Sequence, residues 1–185
     1  MTRNAVLLAA AIAAIAATLP ASAQGVQLPP RKPGQWDVRM VTEKPAGGPN
    51  LNAQMCVDAN TDRDLMEFGL RMSKDSCTRY DIKRAGASFV IDAACTFGPV
   101  KSVTKTTISG DFQSTVTVRS EGTTEGLPGA ASGPQPVLMV QTARWVAAAC
   151  ADGMKPGDIA MGGGLKMNVK HMKQLQNLLG KPQGK

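Results

Sequence analysis

Between Cys77 and Thr96 the chain reads CTRYDIKRAGASFVIDAACT, and no other stretch limits the available folds as much. Tyr80, Ile82, Phe89 and Ile91 alternate with polar neighbours, the period-two pattern of half-buried strands. Ala85-Gly86 separates the two runs, and glycine supplies the positive φ that a tight hairpin turn needs. A turn there sets Arg84 opposite Ala87, Ile82 opposite Phe89 and Tyr80 opposite Ile91. It also sets Arg79 opposite Asp92, an opposite-charge pair on the other face. In that register Cys77 and Cys95 are one place out of step. A bridge between them then needs a bulge or a strand end nearby.

The start of the chain sets the compartment. Arg3, the apolar run Ala5 to Ala17 and the small residues up to Ala23 have the form of a secretory leader removed after residue 23. The run is shorter than the roughly 20 residues that span a bilayer. About 160 residues remain, enough for one domain. The expected organisation is a leader over 1–23, one β-rich domain over 24–150 and a basic tail over 151–185. Such a leader implies that the chain is exported.

Four cysteines, Cys56, Cys77, Cys95 and Cys150, are an even number in an exported chain, which points to two disulfides. Zinc is disfavoured, because no close cysteine pair occurs and the single histidine, His171, lies far downstream.

Along the chain, Gln24 to Pro33 reads as an extended lead-in. Gly34 to Val41 alternates, with Trp36, Val38 and Met40 on one face, and Leu51 to Val57 returns as a second strand. Thr61 to Met72 reads as a helix with Thr61 as N-cap and Leu65, Phe68 and Met72 on one face. Lys101 to Ser109 and Phe112 to Ser120 form a second hairpin about Gly110-Asp111. Glu121 to Pro136 is a Gly- and Pro-rich loop, and Val137 to Val146 is a further strand. Leu165 to Leu179 repeats apolar residues at helical spacing. The fold class is therefore mainly β. We expect an antiparallel up-and-down meander of about seven strands, curled into a small barrel or half-barrel. One short helix follows the second strand and an amphipathic helix ends the chain. A two-sheet sandwich is the runner-up.

Strand direction bears on the bridges. In such a meander Cys77 and Cys95 lie at one end, and Cys150 lies at the end opposite Cys95. That favours Cys77–Cys95 with Cys56–Cys150. The hairpin register counts against it, so Cys56–Cys77 with Cys95–Cys150 stays open.

KPGQWDVRM, Cys56 before a short helix, CTRYDIKRAGASFVIDAAC, SVTKTTISGDFQSTVTV and the final ARWVAAAC together resemble an exported bacterial family, catalogued as domain of unknown function 3617. The resemblance runs from about Pro33 to Cys150. Members typically carry a glycine shortly before the final cysteine, where this chain has Ala147-Ala148-Ala149. The resemblance implies a periplasmic β-rich domain and carries over no catalytic residue.

The chemistry points away from catalysis. A serine hydrolase unit needs a histidine base, and His171 sits among lysines in the tail helix. Asp62, Asp64 and Glu67 cluster at an exposed helix start, where the helix dipole accounts for them. No GxSxG, HExxH or phosphate-binding loop occurs. Met161, Met167, His171 and Met172 offer soft ligands, with Met167 and His171 on one helical face, but methionine more often fills apolar surface. No metal or other cofactor is expected. Nucleic acid is an unsuitable partner, since the chain is exported and has few aromatic residues.

Two expectations remain. Trp36, Phe89, Ile91, Val116, Val118 and Trp145 point inward, lining an apolar pocket for a small hydrophobic or lipid-like ligand, or filling the core. The tail carries six lysines against two aspartates. Its basic helix suits an anionic membrane surface, or a cap over the sheet.

Overall fold

A computed structural model describes residues 26–151 and 153–179; the expected leader lies outside the described residues. Nine strands and two helices follow in order: β1 (Gly34–Lys44), β2 (Leu51–Val57), α1 (Ala59–Ser76), β3 (Cys77–Ala85), β4 (Ser88–Phe97), β5 (Val100–Gly110), β6 (Thr115–Glu125), β7 (Gln135–Ala147), β8 (Asp158–Met161), β9 (Lys166–Asn168) and α2 (Val169–Leu179). All strands join one antiparallel sheet in the order β3-β4-β5-β6-β7-β1-β2-β8-β9.

The sheet is open, which corrects the expectation of a closed barrel. β7 does pair with β1, the contact that would join the two halves of a seven-strand ring. Pairing of β2 with β3 would complete that ring, and it does not form. The chain runs through α1 between them, and β8 takes the free edge of β2. The sheet therefore ends at β3 on one side and β9 on the other.

The tail is part of this sheet. Ala151 to Gly164 shows no period in the sequence because β8 and β9 have only four and three residues. Gly163 and Gly164, at φ 84° and 82°, turn the chain between them. The helix expected from Leu165 starts at Val169 instead, where the Asn168 side chain accepts a hydrogen bond from the Lys170 amide.

The central hairpin forms two places out of the expected register. Gly86 (φ 62°) takes the first turn position and Ala87 the second, so Ala85 faces Ser88, Ile82 faces Ile91 and Tyr80 faces Ala93. A turn at Ala85-Gly86 of the primed type would force positive φ on alanine as well; glycine in first place avoids this. A shift of two keeps every side chain on its expected face. Arg79 now faces Ala94, and Asp92 pairs with Lys83 at 3.2 Å instead. A bulge between Cys77 and Arg79 brings Cys77 opposite Cys95.

Asp58, not Thr61, caps α1. Its carboxylate accepts from the Asn60 and Thr61 amides, while the Thr61 hydroxyl accepts from the Asp58 amide, a reciprocal capping box. The Thr61 amide bond comes first among the causes that hold the Asp58 carboxyl below its usual range. β6 starts at Thr115, so Phe112 belongs to a turn. Asp111 organises that turn by accepting from the amides of Gln113, Ser114 and Thr115 and from the Ser114 hydroxyl. Phe112 adopts φ 59° and is buried edge-on against Phe89, ring centres 6.2 Å apart.

One face of the sheet carries the core: Trp36 and Val57 from β1 and β2, Phe89, Ile91 and Ala93 from β4, Ile108, Val116 and Ala143 from β5, β6 and β7, with Phe112. Leu65 of α1 packs on it, as do Val26 and Leu28 of the lead-in. The lead-in is tied down at several points. The Lys32 amide donates to the Phe112 carbonyl, the Trp36 indole donates to the Lys32 carbonyl, and the Trp145 indole donates to the Pro33 carbonyl. The Lys32 ammonium lies over the Trp145 ring.

Arg31 makes the strongest of these ties. Its backbone amide and its guanidinium both bond Asp62, at 2.9 and 2.6 Å. Asp62 is fully buried, which corrects its placement on an exposed helix start. Replacing Arg31 with Met would strand that carboxylate. Urea unfolding should show a loss of about 3 kcal/mol, the usual cost of breaking a buried pair from one side. A loss below about 1 kcal/mol, the range of exposed pairs, would contradict the assignment.

In the same half of α1, Lys173 of α2 bonds Asp64 at 2.6 Å and Glu67 at 3.3 Å. The bond to Asp64 outweighs partial burial and raises the Lys173 pKa above its usual 10.5. A raised native pKa means that this contribution is complete below about pH 10.5 and is lost as pH climbs through the native value. Melting curves from about pH 8 to 12 should converge for wild type and Lys173→Gln at the alkaline end and separate below it. Parallel curves would show that Lys173 contributes nothing to stability.

Candidate functional site

Of the six residues expected to line a pocket or fill the core, four are buried and two are partly buried beside them. Trp36 (0% exposed), Phe89 (4%), Ile91 (8%) and Val116 (7%) belong to the buried cluster, and Val118 and Trp145 pack against it. Cys56 is joined to Cys150, and Cys77 to Cys95. The bulge at Thr78 resolves the parity conflict between the second pair. Cys56–Cys150 ties β2 to the chain just past β7, so it brackets β1 from both sides.

The soft-ligand reading of the tail loses its geometry. Met167 lies in β9 and His171 in α2, so they do not share a helical face. Among the described residues no group of three or more His, Cys, Asp or Glu side chains is placed to hold a metal.

The cavity that stands out lies on the opposite face of the sheet from the core. It is an open groove of about 800 Å³ over β7, β1, β2 and β8. Two cross-strand rows build it. Arg144, Asp37, Gln54 and Ala160 follow one another across the strands in the first row; Thr142, Arg39 and Asn52 do so in the second. Val38, Val41, Ala53, Met161 and Gly162 complete the lining. β8 makes one wall, because its Met161 pairs with Ala53 and the following Gly162 amide donates to the Asn52 carbonyl.

The charges in the groove are unevenly satisfied. Gln54 donates to Asp37 at 3.3 Å, so this carboxylate is turned along the row. Arg144 stands directly across from Asp37 without forming an ion pair with it, and among the described residues Arg39 has no side-chain partner either. Two guanidinium groups thus border a cleft whose remaining lining is largely apolar or neutral. Such groups bind carboxylate or phosphate in a bidentate fork.

The sequence contains this patch only as alternation. Asp37 and Arg39, Asn52 and Gln54, and Thr142 and Arg144 are the polar partners of core residues on the same strands. That pattern reads as a solvated outer face. The missing signal was β8, whose wall turns a face into a groove.

No helix among the described residues is long and apolar enough to cross a membrane. No curated protein and no solved structure matches the chain. A family model does match, over residues 31–150, which takes in β1 to β7, α1 and all four cysteines. The chain belongs to the family described as Protein of unknown function (DUF3617).

Proposed function

We propose that this protein is a non-enzymatic binding module of the periplasm that holds an anionic, lipid-like molecule in the groove over β7, β1, β2 and β8. The observation that carries this reading is that Arg39 and Arg144, which form no ion pair among the described residues, border one groove with the apolar side chains of Val41 and Ala160. An amphiphile would set its tail against Val41 and Ala160, which share the groove face with Asp37 and Gln54, and its head against the guanidinium groups. Two disulfides suit an oxidising compartment. His171, the one histidine of the chain, is not among the lining residues, so the groove lacks the commonest general base.

A second reading places the contact on α2, where Leu175 is 59% exposed beside exposed Lys170 and His171. That combination suits the surface of an anionic bilayer. Lys173 is not available to it, being committed to α1.

Titration with 11-(dansylamino)undecanoic acid, a fluorescent fatty acid, separates these readings. The wild-type protein should bind it, and Arg39→Gln/Arg144→Gln should weaken binding about tenfold, equivalent to about 1.4 kcal/mol. Equal affinity in both proteins, or none in the wild type, would remove the groove reading. Flotation with anionic vesicles that survives the arginine double variant and is lost in Leu175→Glu would select the helix.

A further inference from the structure

Beyond the groove, the open sheet leaves one long strand with a bare edge. β9 is three residues long, but β3 runs nine residues with, among the described residues, only β4 beside it. The two-residue turn fixes which backbone groups face outward. Ala85 and Ser88 close the turn as a hydrogen-bonded pair, so Ala85, Lys83, Asp81 and Arg79 direct their amides and carbonyls to β4. Arg84, Ile82 and Tyr80 direct theirs to the open side. The same alternation is consistent with the next hairpin, where Phe97 and Val100 close the turn at Gly98-Pro99.

The charges on this edge are not a uniform guard. Asp81 stands opposite Asp92 of β4, a like-charge pair, and has no ion-pair partner among the described residues. Asp92 is itself taken by Lys83 at 3.2 Å, and Asp92 also faces Lys105 on its other side. Asp81 is thus an acid of the hairpin that the fold leaves facing a like charge.

We propose that β3 is a self-complementary docking edge, and that its partner is β3 of a second copy of this chain, paired antiparallel about a two-fold axis at Ile82. In this register the outward-facing backbone groups of Ile82 meet those of Ile82 in the second copy. Asp81 then faces Lys83 of the second copy, and Lys83 faces its Asp81. Arg79 faces Ala85, so no like charges meet. Seven residues, 79 to 85, join the ladder and stop short of the bulge and of the Cys77–Cys95 bridge.

The neighbouring symmetric registers fail. An axis at Asp81 sets two aspartates face to face and Arg79 against Lys83. An axis at Lys83 opposes two lysines. An axis at Tyr80 draws the bulged Thr78 and Cys77 into the ladder. Charged edges generally discourage pairing. Here the alternation of sign counts against the axes at Asp81 and Lys83, and the bulge counts against the axis at Tyr80.

Light scattering on the exported, oxidised protein tests this at high micromolar concentration. The wild type should have twice the mass of one chain. Asp81→Lys should be monomeric, because lysine then meets Lys83, and it should fold normally, because lysine suits Asp92 across the hairpin. Lys83→Asp should also be monomeric. An equimolar mixture of the two variants should return to dimer mass, since every facing pair is again opposite in sign. Far-ultraviolet dichroism confirms that each variant is folded. A wild type that stays monomeric, single variants that stay dimeric, or a mixture that stays monomeric would each overturn the proposal.

Discussion

The bond between Cys56 and Cys150 determines how the middle of the sheet is held, where β7, β1 and β2 lie side by side. β1 lies between β2 and β7, and the bridge joins the end of β2 to the chain beyond β7. It closes a loop with a sequence separation of 94, a constraint worth about 4.7 kcal/mol in the loop-entropy description. With that bracket in place, Trp36 is fully buried and its indole meets the lead-in. The same region receives the start of the tail, where the Gly157 amide donates to the Cys56 carbonyl and the Ala151 amide donates to Gln35. β8 can then follow along β2.

This arrangement also explains why the sheet stays open and why the groove exists. α1 leaves β2 and returns as β3, so the two strands that could close a ring are separated by a helix. β8 fills the edge that closure would have used. The result is a face with a wall, bordered by two arginines that no acid neutralises. The core lies on the opposite face, so a ligand in the groove would not compete with core packing.

Much of the sheet was legible in the residues themselves. Alternation in Trp36, Val38 and Met40, in Phe89 and Ile91, and in Val116 and Val118 gives both the strands and their buried faces. The need for a bulge beside Cys77 followed from parity alone. Other features required knowledge that local pattern does not hold. The hairpin register depended on whether Gly86 came first or second in the turn, a choice with the same apolar pattern either way. Asp62 read as a solvated dipole partner because its partner, Arg31, is distant in sequence and lies in a segment without periodicity. β8 and β9 were too short to show a period at all, and with them the groove was hidden. The polar rows of Asp37, Arg39, Thr142 and Arg144 were visible, but not the shape of the surface they occupy.

The most direct measurement is non-reducing peptide mapping of the oxidised protein by mass spectrometry. This account predicts linked peptides for Cys56 with Cys150 and Cys77 with Cys95, and no free thiol. Peptides linking Cys56 to Cys77 and Cys95 to Cys150, or unpaired cysteines in the oxidised protein, would contradict it, because β1 could not then be bracketed from both sides.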